Sequence, residues 1–449
     1  MKLHFVGVAG TGMSALAQIH ALSGAEVTGS DRLGDHGTLG ETGRRLQAAG
    51  IKLFAQDGSG LGADTSRVVV STAIEDDNLD LARAAALGLK VAHRADELAA
   101  LAQSRRTVAV AGTSGKSTVT AMVFQILEAA GRSPSLASGA NLPSVRRRGL
   151  LGNAWRGESD LLVIEADESD GTLTRYRPAL GLLLNISKDH KELRELAALF
   201  QTFKSQSERL VVDADAPGLE YFLSDAATYG FVSGTTRGKS LEVAADSSRF
   251  TVEGVKFSVP APGRYNAQNA LAAVAACREL GVGLKDCASA LASYEGVGRR
   301  FERVGAARGV DVIDDFAHNP EKVRAVFSAA RLRAKRILAV FQLHGFAPAR
   351  FLKEEFLDAF ADSLGPDDIL WLPDIYYVGG TAAKDISAKD YADALVKRGK
   401  QARHAPRREE IVAAIAAEAH PGDLVLVMGA RDASLSDFAA RILKGLQAS

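Results

Sequence analysis

Short apolar runs that read as strands alternate with amphipathic stretches along the whole 449-residue chain. That alternation restricts the fold to parallel α/β layers with helices on both sheet faces. Leu3 to Val8, Glu26 to Ser30 and Arg67 to Val70 read as strands of a first unit. The charged stretch Gln103-Ser104-Arg105-Arg106 then precedes a new strand over Thr107 to Ala111. A second unit carries buried strands over Leu161 to Ile164 and Leu180 to Leu184, and runs to Gly296-Val297-Gly298-Arg299-Arg300, where glycine and charge interrupt the apolar pattern. A third begins at Val310 to Ile313 and passes through Ile337 to Phe341, Ile369 to Leu372 and Leu424 to Met428 to a terminal helix. The expected domains are 1–103, 104–303 and 304–449, an organisation that suits the length.

Composition narrows the function classes. The chain is 47% hydrophobic and 24% charged, enough apolar surface for sizeable cores and too much for a disordered chain. The 54 basic and 54 acidic residues cancel, which removes the electrostatic footprint of a nucleic-acid or anionic-membrane binder. Any anion must therefore be caught locally. The residues after Met1-Lys2 give about six mostly apolar positions and then a glycine loop, neither a signal core nor a spanning helix. A cytoplasmic protein without membrane insertion is expected. Cys277 and Cys287 lie in a stretch that reads as helical, with no CxxC spacing, and are expected to be buried free thiols.

Four strand ends carry candidate chemistry. Gly7-Val8-Ala9-Gly10-Thr11-Gly12-Met13-Ser14 follows a strand and opens a helix. Gly10, Thr11, Gly12, Met13 and Ser14 would let backbone N–H groups and the helix dipole meet a diphosphate, and Asp31, nineteen residues past Gly12, could accept from a ribose hydroxyl. A purely structural tight turn is the alternative. Gly112-Thr113-Ser114-Gly115-Lys116-Ser117-Thr118 again joins strand to helix. Its N–H groups would cradle ATP phosphates, with Lys116 between the β- and γ-phosphates and the Ser117 hydroxyl on Mg²⁺. Val110 stands where a full Walker loop has its first glycine. The helix is expected to be held by Val119, Met122, Val123, Ile126 and Leu127. The acidic run from Glu165 to Asp170 starts as a strand ends, so Glu165 is the first Mg²⁺ candidate and the others are metal ligands or a solvated loop. Asn185-Ile186-Ser187-Lys188-Asp189-His190 ends a third strand, with His190 either a ligand or structural.

In this order and spacing the motifs resemble the Mur ligases, the ATP-dependent peptide-bond-forming enzymes of peptidoglycan synthesis. Further segments extend the resemblance over nearly the whole chain. Gly263-Arg264-Tyr265-Asn266-Ala267-Gln268-Asn269 is similar to the family's Asn-containing helix start near the adenine, which implies ATP contacts for Asn266 and Asn269. Gly298-Arg299-Arg300-Phe301-Glu302 is similar to its hinge arginine segment, and Asp314-Asp315-Phe316-Ala317-His318-Asn319-Pro320 to the Asp and His motif of its carboxy-terminal domain. The resemblance implies a Rossmann-like UDP-binding domain that includes Ser71, a central P-loop ATPase-like domain and a carboxy-terminal Rossmann-like α/β domain. It also implies ATP and Mg²⁺ as cofactors, UDP-N-acetylmuramate and an amino acid as substrates, and a monomer or weak homodimer.

The implied reaction is amide formation through an acyl phosphate. Lys116 and Arg300 would spread negative charge, and Ser117, Glu165 and His190 would hold metal. Asp315 and His318 would orient nucleotide or amine, with a general-base role for His318 as the alternative. Because an acyl phosphate hydrolyses in water, closure about a hinge near Arg299 and Arg300 is expected. L-Alanine is the expected amine, with a tripeptide as the alternative. Ser114, Tyr265, Asn319 and Gly345 depart from the family pattern, and a non-catalytic nucleotide-binding paralogue is the reading those departures would support. An NAD oxidoreductase would use the first glycine loop but leave Lys116, Glu165 and His190 without a role.

Overall fold

The computed structural model describes residues 1–168, 171–187, 193–377, 383–430, 432 and 434–448. Among them the strands build three sheets. The first has the order Ile51–Phe54, Glu26–Ser30, Lys2–Val6, Arg67–Val70, Val91–His93, all parallel. From Lys2–Val6 the chain steps to one side and later to the other, so that strand is a topological switch point, and a crevice opens beyond its carboxyl end.

In the second sheet the order is Val255–Val259, Ser248–Val252, Thr236–Val243, Ala227–Gly230, Leu210–Asp213, Leu180–Leu183, Arg106–Ala111, Leu161–Ala166, Ser135–Ala137, Ala154–Trp155. Arg106–Ala111 pairs in parallel with both neighbours, Ala111 lying opposite Leu183 on one side and Ala166 on the other. The segments after these three strands therefore leave from one edge, bringing 112–118, 167–168 and 184–187 together. The strands are almost continuously apolar and buried, as parallel strands covered on both faces must be.

The third sheet runs Glu302–Ala307, Val310–Asp315, Leu424–Gly429, Ile337–Gln342, Ile369–Leu372, Ala402–His404, with only the first strand antiparallel. Its alternation has period two. Ile337, Ala339 and Phe341 enter one core with Leu426 and Met428, while Leu338 and Val340 enter the other with Val425 and Val427. Each Ile, Leu, Val, Phe or Met among them contributes about 1.5–3 kcal/mol when fully buried, which is what holds helices to both faces.

The chain divides into two compact units: Met1–Glu242, Arg249–Pro260 and Asn266–Val297 form one, and Val243–Ser248, Ala261–Tyr265 and Gly298–Ser449 the other. The first two sheets share a unit because Ala15, Ile19, Ala99 and Ala102, on helices of the first sheet, pack into the same core as Ala109, Leu162, Ile164 and Phe200 of the second. Cys277 and Cys287 are buried free thiols, and burial raises both, Cys287 to about 11. No helix among the described residues is long and apolar enough to cross a membrane.

Candidate functional site

The loop after Arg106–Ala111 is shaped by backbone geometry. Gly112 and Gly115 have φ of 136° and 86°, the left-handed region that glycine enters without strain. A Cβ on Gly115 would lie 2.5 Å from Asn269 Oδ1, which also places Asn269 against the loop. Gly115 caps the helix Lys116–Ala129 without a side chain, and the first intrahelical bond there is Val119 N–H to Gly115 O. The leading amides of this helix are thus a ready anion site. All five expected anchors, Val119, Met122, Val123, Ile126 and Leu127, are fully buried.

Neighbouring strand ends clamp the loop. Ser114 N–H donates to Asn185 Oδ1 (2.8 Å) and Asn185 Nδ2 returns a bond to Ser114 O (3.0 Å). Ser187 N–H donates to Thr113 Oγ1 (3.0 Å). Lys116 Nζ donates to Gly112 O (2.8 Å) and to Glu168 Oε2 (2.7 Å). Burial opposes its charge, but Glu168, Asp167 and Glu165 more than offset this, so the ammonium sits above its ordinary pKa and stays charged. Thr118 is buried on the first turn of the helix.

Glu165 faces the loop from Leu161–Ala166. Its Oε2 accepts from Ser117 Oγ (2.9 Å), and its Oε1 accepts from Ser138 Oγ (2.7 Å) and Gly139 N–H (2.5 Å). The hydroxyl and carboxylate expected around Mg²⁺ are therefore adjacent, and both are the hard oxygen donors that ion requires. His190 lies outside the described residues. Asn266 is buried on the helix Arg264–Glu279, one turn before Asn269.

At the first sheet's switch point the glycine loop, Asp31 and Ser71 converge. A Cβ on Gly7 would lie 3.0 Å from Ile74 Cδ1, so the turn containing Ser71 packs on the loop. Asp31 accepts from Ala9 N–H (2.9 Å) and Leu33 N–H (3.0 Å). It shapes the loop and caps the next helix. Gly10 caps the helix Thr11–Leu22 without a side chain, and Met13 is buried. Ser14 turns inward, donating to Thr11 O and accepting from Asn153 Nδ2. A Cβ on Gly12 would meet Arg94 Nη1 at 2.9 Å. Arg94 thus sets a cation beside this helix terminus that no motif announced.

In the second unit Asp315 ends its strand half-buried, accepting from Phe301 N–H (2.6 Å) and Ala317 N–H (2.7 Å). Burial pushes its carboxyl up to about 6, against the pull of Arg300 and the two amides. Arg300 lies over the Phe316 ring at 4.6 Å. Arg299 instead pins the strand ends, donating to Gly429 O (2.7 Å) and Asp314 Oδ1 (3.3 Å). Arg299 and Phe301 have φ of 58° and 53°, so Arg300 is flanked by two side-chain-bearing residues in left-handed conformations, strain typical of functional turns. Burial, helped by Lys322, depresses His318 well below its usual range, so its ring is neutral at pH 7. Its Nδ1 lies 2.8 Å from Phe316 O, which can only accept. The proton therefore sits on Nδ1 and Nε2 carries the lone pair.

Asp315 has a consequence for stability. Between the unfolded value near 3.9 and the folded value near 6 the folded chain holds more protons, so stability falls as pH rises through that window and is level above it. Asp315→Asn lacks this slope. The stability of the variant relative to the parent is expected to grow by about 2 kcal/mol from pH 4 to pH 6.5, which widens the difference in melting temperature by roughly 4–8 °C, and then to stay constant. A gap independent of pH would show that Asp315 titrates normally.

Three family models match the chain: "Mur ligase family, catalytic domain" at residues 2–106, "Mur ligase middle domain" at 110–277 and "Mur ligase, glutamate ligase domain" at 299–431. The chain is 38% identical to UDP-N-acetylmuramate–L-alanine ligase of Streptomyces avermitilis, covering 99% of this chain and 97% of that one. It is 35% identical to the enzyme of that name from Pelotomaculum thermopropionicum, covering 96% and 95%. The crystal structure of UDP-N-acetylmuramate-alanine ligase from Thermotoga maritima superposes with a TM-score of 0.82 at 26% identity, covering 100% of this chain and 99% of that one. With the three domain models matched in order along the chain and full-length relatives at 35% and 38% identity, this chain belongs to the Mur ligase family of ATP-dependent ligases.

Proposed function

We propose that this chain joins the carboxylate of UDP-N-acetylmuramate to the amino group of L-alanine, forming ADP and phosphate, as a cytoplasmic enzyme of peptidoglycan synthesis. The observation that carries the reading is the pairing of Lys116 and Ser117 with Glu168 and Glu165 at one sheet edge. Residues 1–103 hold the UDP group, 104–303 the ATP and 304–449 the amine side. A carboxylate is a poor acyl donor because its oxygen leaves badly. Its attack on the γ-phosphorus expels ADP and gives an acyl phosphate, and the amine then attacks the acyl carbon, expels phosphate and loses a proton.

In this reading the amides of residues 112–118 bind the phosphates, Lys116 spreads the charge that develops on the transferring group, and Asn266 and Asn269 orient the nucleotide. Gly10 to Ser14 and Ser71 bind the UDP diphosphate, with Asp31 holding their loop. Ser117 and Glu165, joined by His190, would hold Mg²⁺, which when bound neutralises phosphate oxygens. Arg300 stabilises the acyl phosphate. Neutral His318 presents Nε2 to the ammonium proton of the amine, and Asp315 holds the turn that carries it.

The test is a panel of amino acids and short peptides offered with UDP-N-acetylmuramate and ATP, read by product mass and phosphate release. L-Alanine is expected to be used at least tenfold more efficiently by kcat/KM than glycine, L-serine or a murein tripeptide. Preference for the tripeptide would reassign the amine. ATP binding with no product from any amine would favour a non-catalytic paralogue.

A further inference from the structure

The loop that carries the glycine turn at 10–14 and the carboxylate of Glu165 are joined by a continuous chain of hydrogen bonds, buried around Asn153 and part-exposed at Glu165, and its central side chain is used by neither site. Asn153 is 1% exposed and Gln18 fully buried, although neither carries a charge to neutralise or a substrate to meet. Asn153 Nδ2 donates to Thr11 O and to Ser14 Oγ, both at 2.9 Å, in the first turn of the helix that opens at Gly10. Its Oδ1 accepts from Gln18 Nε2 at 2.8 Å, and Gln18 also donates to Ser14 O and accepts from Leu151 N–H. The backbone oxygen of Asn153 accepts from Ser138 N–H at 2.8 Å, and the Ser138 hydroxyl donates to Glu165 Oε1. Gly139 N–H reaches the same Glu165 oxygen, whose partner oxygen accepts from Ser117.

Every polar atom of the Asn153 side chain is thus satisfied inside the protein, and such fully paired networks have one preferred geometry. A shift of the Thr11–Ser14 turn breaks two bonds of Asn153 unless Asn153 follows, and if it follows, it carries the Ser138 amide with it. We propose that Asn153 is a positioning residue that couples occupancy of the glycine turn at 10–14 to the placement of Glu165 beside Ser117, so that ATP is gripped productively only when the UDP-linked substrate is in place. The inference rests on the ligase reading of both sites. Its benefit is chemical: a phosphoryl acceptor that must be in place before the nucleotide is aligned suppresses transfer of the γ-phosphoryl group to water.

The test measures affinity for Mg²⁺ and a non-hydrolysable ATP analogue with and without saturating UDP-N-acetylmuramate, in the parent protein, Asn153→Ala and Gln18→Leu. The parent is expected to bind the analogue at least fivefold tighter when the UDP-sugar is present. In both variants that factor is expected to fall below two, while each ligand alone binds within threefold of the parent. A parent factor near one, or a variant that keeps the parent's factor, overturns the coupling. Amide hydrogen exchange at Gly139 gives a readout that needs no ligand, and it is expected to rise at least tenfold in Asn153→Ala. If the parent fails to bind UDP-N-acetylmuramate, the ligase reading falls on that result alone. Unchanged exchange at Gly139 would then overturn the positioning role separately.

Discussion

Lys116→Ala is expected to lower kcat/KM for product formation by a factor on the order of 10³ or more while leaving the affinity for UDP-N-acetylmuramate within about twofold of the parent. The side chain is the ammonium at the mouth of the phosphate loop, and its neighbours keep it charged despite burial. Its removal takes away charge stabilisation that grows as negative charge shifts onto the phosphates, so the loss falls on kcat as well as on ATP binding. The glycine turn at 10–14 lies at the carboxyl end of a different sheet, in front of Lys2–Val6, and its loop holds its shape through Asp31 without help from Lys116. Isothermal titration with the UDP-sugar and single-turnover phosphate release separate the two quantities. Joint loss of UDP-sugar binding and turnover would mean that residues 112–118 do not form a separate nucleotide site. Retained turnover would mean that the triphosphate lies elsewhere.

The parts of this site that were legible in the sequence are those fixed by local backbone requirements. A glycine turn needs left-handed φ values, which Gly7, Gly112 and Gly115 supply, and a helix opening without a side-chain cap advertises free amides. Strand ends were readable because buried parallel strands are apolar throughout, and the run through Leu161 stops being apolar at Glu165. Pairings between distant strand ends were not readable. Glu168 belonged to an acidic run with no mark to separate it from Asp167, and only the juxtaposition of two strand ends shows that it holds Lys116. Asn185 clamps Ser114 from seventy-one residues away, and Ser138 and Gly139 fix Glu165 from a segment without a motif. Boundaries suffered likewise. The first strand was expected to reach Val8 but ends at Val6, because Gly7 turns at φ 76°. The linker at 104 separates two sheets, yet their helices share one core through alanines that carry little signal of what they face.

The second large effect belongs to Glu165, where geometry allows charge and shape to be separated. In Glu165→Gln the amide oxygen can keep the bonds from Ser138 Oγ and Gly139 N–H, and the new NH₂ group would face Ser117, whose hydroxyl accepts as readily as it donates. The side-chain shape and the two bonds to the amide oxygen are kept, so the fold should hold within about 2 °C of the parent melting temperature. What disappears is the negative charge next to the Ser117 hydroxyl. If these two oxygens hold Mg²⁺, the ion concentration for half-maximal activity should rise at least tenfold, and kcat/KM at low Mg²⁺ should fall by a factor on the order of 10²–10³. Glu165→Ala should lose activity to the same degree and stability as well, because Ser138 Oγ–H and Gly139 N–H would then both face an unfilled gap without their acceptor. An unchanged Mg²⁺ requirement in Glu165→Gln would remove this carboxylate from the metal site. It would leave Glu165 as a structural acceptor that only shapes the segment around Ser138.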